Sequence, residues 1–186
     1  PTTFTWEQGL ANDAGPARLG VKTTADPDAF IPLKYKDTVT ASGPAQITFD
    51  QLRYKNGSFK TDFFIDFQNA ALSLSPVSYV KPAGAAAVLN GVLKTEPGSA
   101  YTLEEVSFQS SKLSFTGEVR GSDGGWKSAT FDRFTLNDNQ LQITAQNHTE
   151  DINVKIAGAF FDVGPFINAG QTPAPKTATF LISIIY

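Results

Sequence analysis

Histidine occurs once in this chain, at position 148, and cysteine not at all. A serine triad, an imidazole base or a His-ligated zinc would therefore have to be built around Gln146-Asn147-His148-Thr149-Glu150. That segment has no HExxH-type spacing and no thiolate partner, and it separates two alternating runs, QLQITA and INVKIAGAFF, as a loop does. His148 is read as a loop residue, and no spacing pairs it with Tyr79 or Tyr101 as a haem ligand. The carboxylates are more regularly placed. Asp50, Glu104 and Asp132 each stand third in the cadence Thr, apolar, acid, any, apolar, any, apolar, over residues 48–54, 102–108 and 130–136. Such acids could ligate a metal, but carboxylates that mark turns and bulges are the commoner arrangement, and the cadence is read as three similar hairpins, each with an acid-marked bend. The adjacent pair Glu104-Glu105 would alternate across a strand, the wrong geometry for joint acid and base work. Asp26, Asp28, Asp123 and Asp138 could offer oxygen to calcium, yet no Dx[DN]xDG loop is spelled out. Trp6 and Trp126, the latter beside Gly124-Gly125, could stack on sugar rings, although a Trp that reopens a strand after a glycine turn usually packs in a core or hairpin. The expectation is a chain with no catalytic residues, no metal and no cofactor, in which Trp126 is the candidate ligand-binding side chain.

The elements that position these residues are set by pattern. Gly, Pro, Thr and alternating runs interrupt nearly every helical window. The Ala-rich stretch from Pro82 to Leu93 is the one place where a turn or two of helix is expected. Strands dominate elsewhere. Residues 46–67 carry two extended runs around Asn56-Gly57, which predicts a hairpin closed by a type I′ turn. In its first arm Ile47 and Phe49 share one phase and Leu52 and Tyr54 the other, which predicts a bulge or bend near Asp50-Gln51. In its second arm Phe59, Phe63, Ile65 and Phe67 hold one phase. About ten strands at intervals of roughly 8 to 15 residues, separated by Gly-, Pro- and Asn-rich turns, predict an all-β, antiparallel β-sandwich, immunoglobulin-like or jelly-roll-like, with Greek-key connections. Central parallel pairing is not expected without crossover helices.

Composition fits one domain spanning residues 1–186. Fifteen Phe, five Tyr and two Trp supply a bulky core, and the charged fraction of 18% lies below the usual quarter. A net charge of −3 with no basic run gives no footprint for nucleic acid, and no apolar stretch reaches the ~20 residues of a membrane-spanning helix. Residue 1 is Pro and Met is absent, which is read as a mature secreted chain freed of its signal peptide, with an excised fragment as the alternative.

The last ten residues, TATFLISIIY, put Phe180, Ile182, Ile184 and Tyr186 on one face of a strand and Thr179, Leu181, Ser183 and Ile185 on the other. Such a strand has to be covered by its own domain or by another chain. Asn168-Ala169-Gly170, a polar interval, Thr177-Ala178-Thr179-Phe180 and the terminal Tyr resemble the closing strand of chaperone–usher fimbrial subunits. The resemblance implies an incomplete immunoglobulin-like sandwich completed by a neighbour's strand, with Phe180, Ile182, Ile184 and Tyr186 as assembly and packing residues. It also implies partners that are copies of the chain or neighbouring filament subunits, and a host glycan or protein receptor for an adhesin. The chain lacks the Cys pair frequent in that family, and only Phe4 and Trp6 alternate where a longer donor strand is usual. The function expected is a secreted, cell-surface structural subunit or adhesin. The alternatives are a small apolar-ligand carrier with a Phe-lined β-barrel, and a carbohydrate-binding module using Trp126.

Overall fold

Residues that alternate apolar and polar at period two gain most by extending, because each strand then sorts its side chains onto two faces. In the computed structural model, which describes residues 2–8, 15–148 and 151–158 and the backbone of 177–184, that sorting runs through fourteen strands. They are β1 (Thr3–Glu7), β2 (Ala17–Ala25), β3 (Val39–Ser42), β4 (Ala45–Arg53), β5 (Phe59–Asp66), β6 (Ala71–Leu74), β7 (Tyr79–Lys81), β8 (Ala87–Thr95), β9 (Tyr101–Ser110), β10 (Leu113–Ser122), β11 (Gly125–Leu136), β12 (Asn139–Asn147), β13 (Asp151–Gly158) and β14 (Thr177–Ile184). Eleven form one sheet in the order β1-β2-β4-β5-β8-β9-β10-β11-β12-β13-β14, and β3-β6-β7 form a second. Every ladder is antiparallel except the outermost, where β14 runs parallel to β13.

The all-β, antiparallel character is the one the sequence implies. The path differs: strands adjacent in sequence are adjacent in the sheet, so the large sheet is a meander and not a set of Greek keys. The reason lies in the connections. Most are tight hairpins; the long connections after β2 and after β5 leave the sheet to build the small one and then return to the next position, and the one between β13 and β14, residues 159–176, lies outside the described residues.

Other expectations are corrected by the local geometry. The Ala-rich stretch is a turn over residues 83–85 and extends as β8 from Ala87, with Ala87, Leu89 and Leu93 on one face, so period two overrides the helix propensity of alanine there. The hairpin around Asn56-Gly57 forms, but as a longer loop: Tyr54 N–H donates to the Ser58 carbonyl (2.9 Å) and Gly57 N–H to the Tyr54 carbonyl (3.0 Å). Only Gly57 of the pair is left-handed, at φ +86°, while the Asn56 side chain accepts from Ser58 N–H at 3.0 Å. A type I′ turn would need both residues left-handed. No bulge occurs at Asp50-Gln51, since β4 keeps one register against both β2 and β5.

The small sheet lies over one end of one face of the large sheet. Ala41, Leu72 and Tyr79 from the small sheet join Ala45, Phe67, Ala87, Phe108, Leu113, Phe134 and Leu136 in the buried core. One cation is sunk into this junction. Lys81, 3% exposed, donates from Nζ to the carbonyls of Ala70 (2.6 Å), Phe67 (2.8 Å) and Pro82 (3.0 Å). Its three donors meet three acceptors, so it fastens β7 to the turn that follows β5. Burial pushes its pKa below the ordinary lysine value, with Asp66 opposing that shift. Lys81→Met removes the donors and strips the Ala70 carbonyl of its Nζ partner, while the Phe67 and Pro82 carbonyls keep the N–H groups of Ala70 (2.9 Å) and Ala85 (3.4 Å). It is expected to lower the unfolding free energy by about 2 kcal/mol in urea denaturation, and an unchanged midpoint would show that Nζ does not fasten this junction.

Candidate functional site

The most distinctive surface is the apolar face of the eleven-stranded sheet. Register carries it from strand to strand. Trp6 stands opposite Leu19, and the pairing continues through Gln51, Thr61, Leu93, Leu103, Val119, Ala129, Ala145 and Val154 to Phe180, one residue from each of the eleven strands. A parallel row runs Thr23, Ile47, Ile65, Leu89, Phe108, Phe115, Phe134, Leu141, Gly158 and Ile184. Between them lie Phe4, Val21, Phe49 and Phe63 toward one edge and Phe131, Ile143 and Ile156 toward the other. At roughly 4.8 Å per strand the face is about 48 Å wide across its ten ladders.

Gln51 and Thr61 are the polar members of the first row, and they satisfy each other through a 3.1 Å hydrogen bond. The aromatic members form a connected series. Tyr79 meets Phe108 edge-on at 6.0 Å, Phe108 stacks on Phe115 at 5.5 Å, and Phe115 reaches Phe131 at 5.2 Å and Phe134 at 6.1 Å. Two rings find room because the neighbouring strand has no side chain there. A Cβ at Gly117 would fall 2.7 Å from the Phe131 ring, and one at Gly121 would overlap that of Tyr101. The Phe131 and Tyr101 rings thus occupy the space over these glycines, and the stacked rings of Phe115 and Phe134 stand at 72° and 66° to that of Phe131.

Burial divides the face in two. Beneath the small sheet Phe108, Leu113, Phe134, Leu136 and Leu141 are buried. Beyond it Leu19, Val21, Phe49, Phe63, Leu93, Leu103, Val119, Phe131, Ile143 and Val154 are half-buried and Thr61, Val106, Ala129 and Ile156 among them are buried, with no second sheet over them among the described residues. At the edge Phe4 and Trp6 are 69% and 58% exposed. A twisted open sheet of this width curls. Side chains of successive strands shade one another on both faces, since Lys60, Val92, Glu104 and Glu118 on the opposite face are half-buried as well.

The opposite face is charged, and in an ordered way. Arg18, Lys60, Lys94 and Arg120 fall in one register row. Each pairs with an acid on the same face: Arg18 with Asp50, Lys60 with Asp62 (3.3 Å), Lys94 with Glu104 (2.6 Å) and Arg120 with Glu118. The Arg18 hydrogen bond holds the Asp50 carboxyl below its ordinary value.

The structure does not bring the residues singled out for chemistry together. Asp50, Glu104 and Asp132 lie on β4, β9 and β11, with other strands between them. The first two are paired to cations, and Asp132 sits at a bulge between β11 and β12. Among the described residues no three His, Cys, Asp or Glu side chains converge as a metal site would need. Asp26 caps a short 3-10 turn, accepting from Asp28 N–H at 3.1 Å, and Asp28 pairs with Lys36 at 2.5 Å. His148 lies in the loop after β12, exposed, its N–H donating to the Asp151 carbonyl at 2.8 Å. Trp126 is half-buried at the start of β11, opposite Gly121, its carbonyl accepting from Asn147 Nδ2 at 2.8 Å. Phe180, Ile182 and Ile184 have their backbone in β14, an edge strand and not an interior one; their side chains, like Tyr186 and Asn168-Ala169-Gly170 entirely, lie outside the described residues. Sequence reasoning missed the face as a unit, though its signal was present in the shared phase of the strands.

Comparison with known protein families, curated proteins and solved structures gives no match, so the reading of this face rests on its own geometry.

The seating of Phe131 over Gly117 provides a test. At Gly117 an added Cβ would also overlap the Thr130 carbonyl oxygen, which is backbone and cannot swing aside. Gly117→Ala is expected to cost about 2 kcal/mol of stability by overpacking, read as a lower urea midpoint. A stability equal to that of the parent would mean that the ring does not lie against Gly117.

Proposed function

We propose that this chain holds elongated apolar molecules, such as single acyl chains, along the apolar face of its large sheet, curled into a trough as a wide twisted sheet can be. One observation carries the reading: the register keeps that face largely apolar from β1 to β13, while among the described residues the small sheet covers only one end of it. Binding needs a concave, mostly apolar surface with few polar groups. The face supplies aromatic and aliphatic side chains, with Gln51 and Thr61 already bonded to each other. This is the carrier alternative in a different form, an open trough in place of a closed barrel. Titration with a fluorescent sixteen-carbon fatty acid tests it. Val119→Glu, in the middle of the uncovered face, is expected to weaken binding at least tenfold, while Thr116→Glu on the outer face leaves it unchanged. Equal binding by both variants, each with parental circular dichroism, would overturn the proposal.

A second reading is a secreted surface subunit or adhesin that assembles by strand addition. It is supported by the two edges of the sheet, β1 and β14, neither of which has a further strand beside it among the described residues, and by the resemblance of the tail to fimbrial closing strands. Main-chain pairing along an open edge supplies the affinity in such assemblies. Deleting residues 177–186 is expected to abolish polymers seen by electron microscopy and light scattering; unchanged assembly of the truncated chain would remove this reading.

A further inference from the structure

We propose that β1 pairs with β1 of a second copy, antiparallel and centred on Thr5, joining two large sheets edge to edge; this pairing rests on the assembly reading and gives it a specific contact. No described residue pairs with the outer side of this strand. Thr3–Glu7 contains no Pro, no Lys and no bulge; what blunts this edge is its length of five residues and the single charge of Glu7. Its side chains are also self-complementary about Thr5. In that register Thr5 faces its own copy, Phe4 faces the partner's Trp6, and Thr3 faces the partner's Glu7.

The consequences fall on both faces in the same sense. A two-fold axis normal to the sheet keeps the apolar sides together, so the row through Trp6 and Leu19 runs on into the partner's row through Phe4 and Val21. The two most exposed aromatics of the large sheet, Phe4 at 69% and Trp6 at 58%, then cover each other as cross-strand pairs, the strongest kind of pair on a sheet face. On the polar side the partner's Glu7 arrives beside Thr3, whose neighbour on β2 is the exposed Lys22. Opposite charges therefore face each other across a small side chain, and the symmetry repeats this on the other side of the axis.

The contact is small. Two short strands with four aromatic rings bury on the order of 800 Å², below a standard stable interface, so the association is expected at tens of micromolar and above. Register is then the sharper readout. The chain has no cysteine, so one introduced thiol reports a single position. Directly opposed residues in an antiparallel pair lie close enough for a disulfide. Under mild oxidation at about 100 µM, Thr5→Cys is expected to form covalent dimer at least tenfold faster than Thr3→Cys or Ser58→Cys, the last being on the β4–β5 turn. Adding Trp6→Lys to Thr5→Cys is expected to abolish that advantage while leaving circular dichroism unchanged. Equal rates at positions 3, 5 and 58, or faster crosslinking at position 3, would overturn the β1 proposal. Because the thiol reports β1 alone, its failure leaves polymerisation through β14 standing, whereas loss of all self-association in sedimentation would end the assembly reading itself.

Discussion

The structure depends on phase. In a sheet one face is kept apolar only if every strand presents its apolar set to the same side, and a slip of one residue in any ladder would turn that strand inside out. Here the condition holds along the strands joined in series from β1 to β13, so an error anywhere would propagate into the next hairpin. Two strands have sequences that break phase, and each break coincides with a bulge. In β9 the inward residues run Leu103, then Val106 and Phe108; Glu105 takes φ +50° and the register against β8 shifts there. In β11 they run Phe131, then Phe134 and Leu136, and the register against β12 shifts between the first two. In each case the extra residue is absorbed locally and the apolar face continues.

This explains why the acid-marked cadence has one meaning at two of its sites and another at the third. Glu104-Glu105 and Asp132 accompany bulges, as a turn-capping reading of carboxylates implies. Asp50 does not. In β4 the inward residues stay in step as Ile47, Phe49 and Gln51, and Leu52 is the one that points to the polar side. The polar interruption is tolerated because Gln51 finds Thr61 directly opposite. A phase count over apolar residues alone reads Leu52 as a switch of face; cross-strand bonding makes it an outward leucine.

The charged face makes the same point from the other side. Ion pairs between exposed side chains add little stability, so the row of Arg18, Lys60, Lys94 and Arg120 with its facing acids is poorly explained as a source of it. Its value is in discrimination. A slipped ladder would carry these charges toward the apolar face, where desolvation is costly. Much of the fold was legible from local pattern: the dominance of strands, the hairpin of residues 46–67, the loop at His148. The meander and the partial second layer were not, because alternation states which side of a strand is apolar and is silent on what lies against it. The misread helix at Pro82–Leu93 has the same origin, since alanine propensity is a local quantity and the pairing of β8 with β5 and β9 is not.

What lies against the uncovered part of the face is then a question of shape. A second sheet packed in the ordinary way would sit about 10 Å above the first and would bury the side chains beneath it. The three short strands that do pack there bury Phe108 and Leu136 and stop, leaving Phe63, Leu103, Val119 and Phe131 half-covered by their own neighbours. The rings of Phe131 and Tyr101 occupy the space over Gly117 and Gly121. A surface already half-shaded has less to gain from a thick rigid layer than an open flat face would, and a thin, flexible occupant that follows the curl can reach what remains. The exposed aromatics Phe4 and Trp6 are of another kind: no strand among the described residues shades them, and the proposed β1 pairing would continue the sheet over them. The two proposed contacts would thus draw on one face and the same alternation, one across its middle and one at its edge.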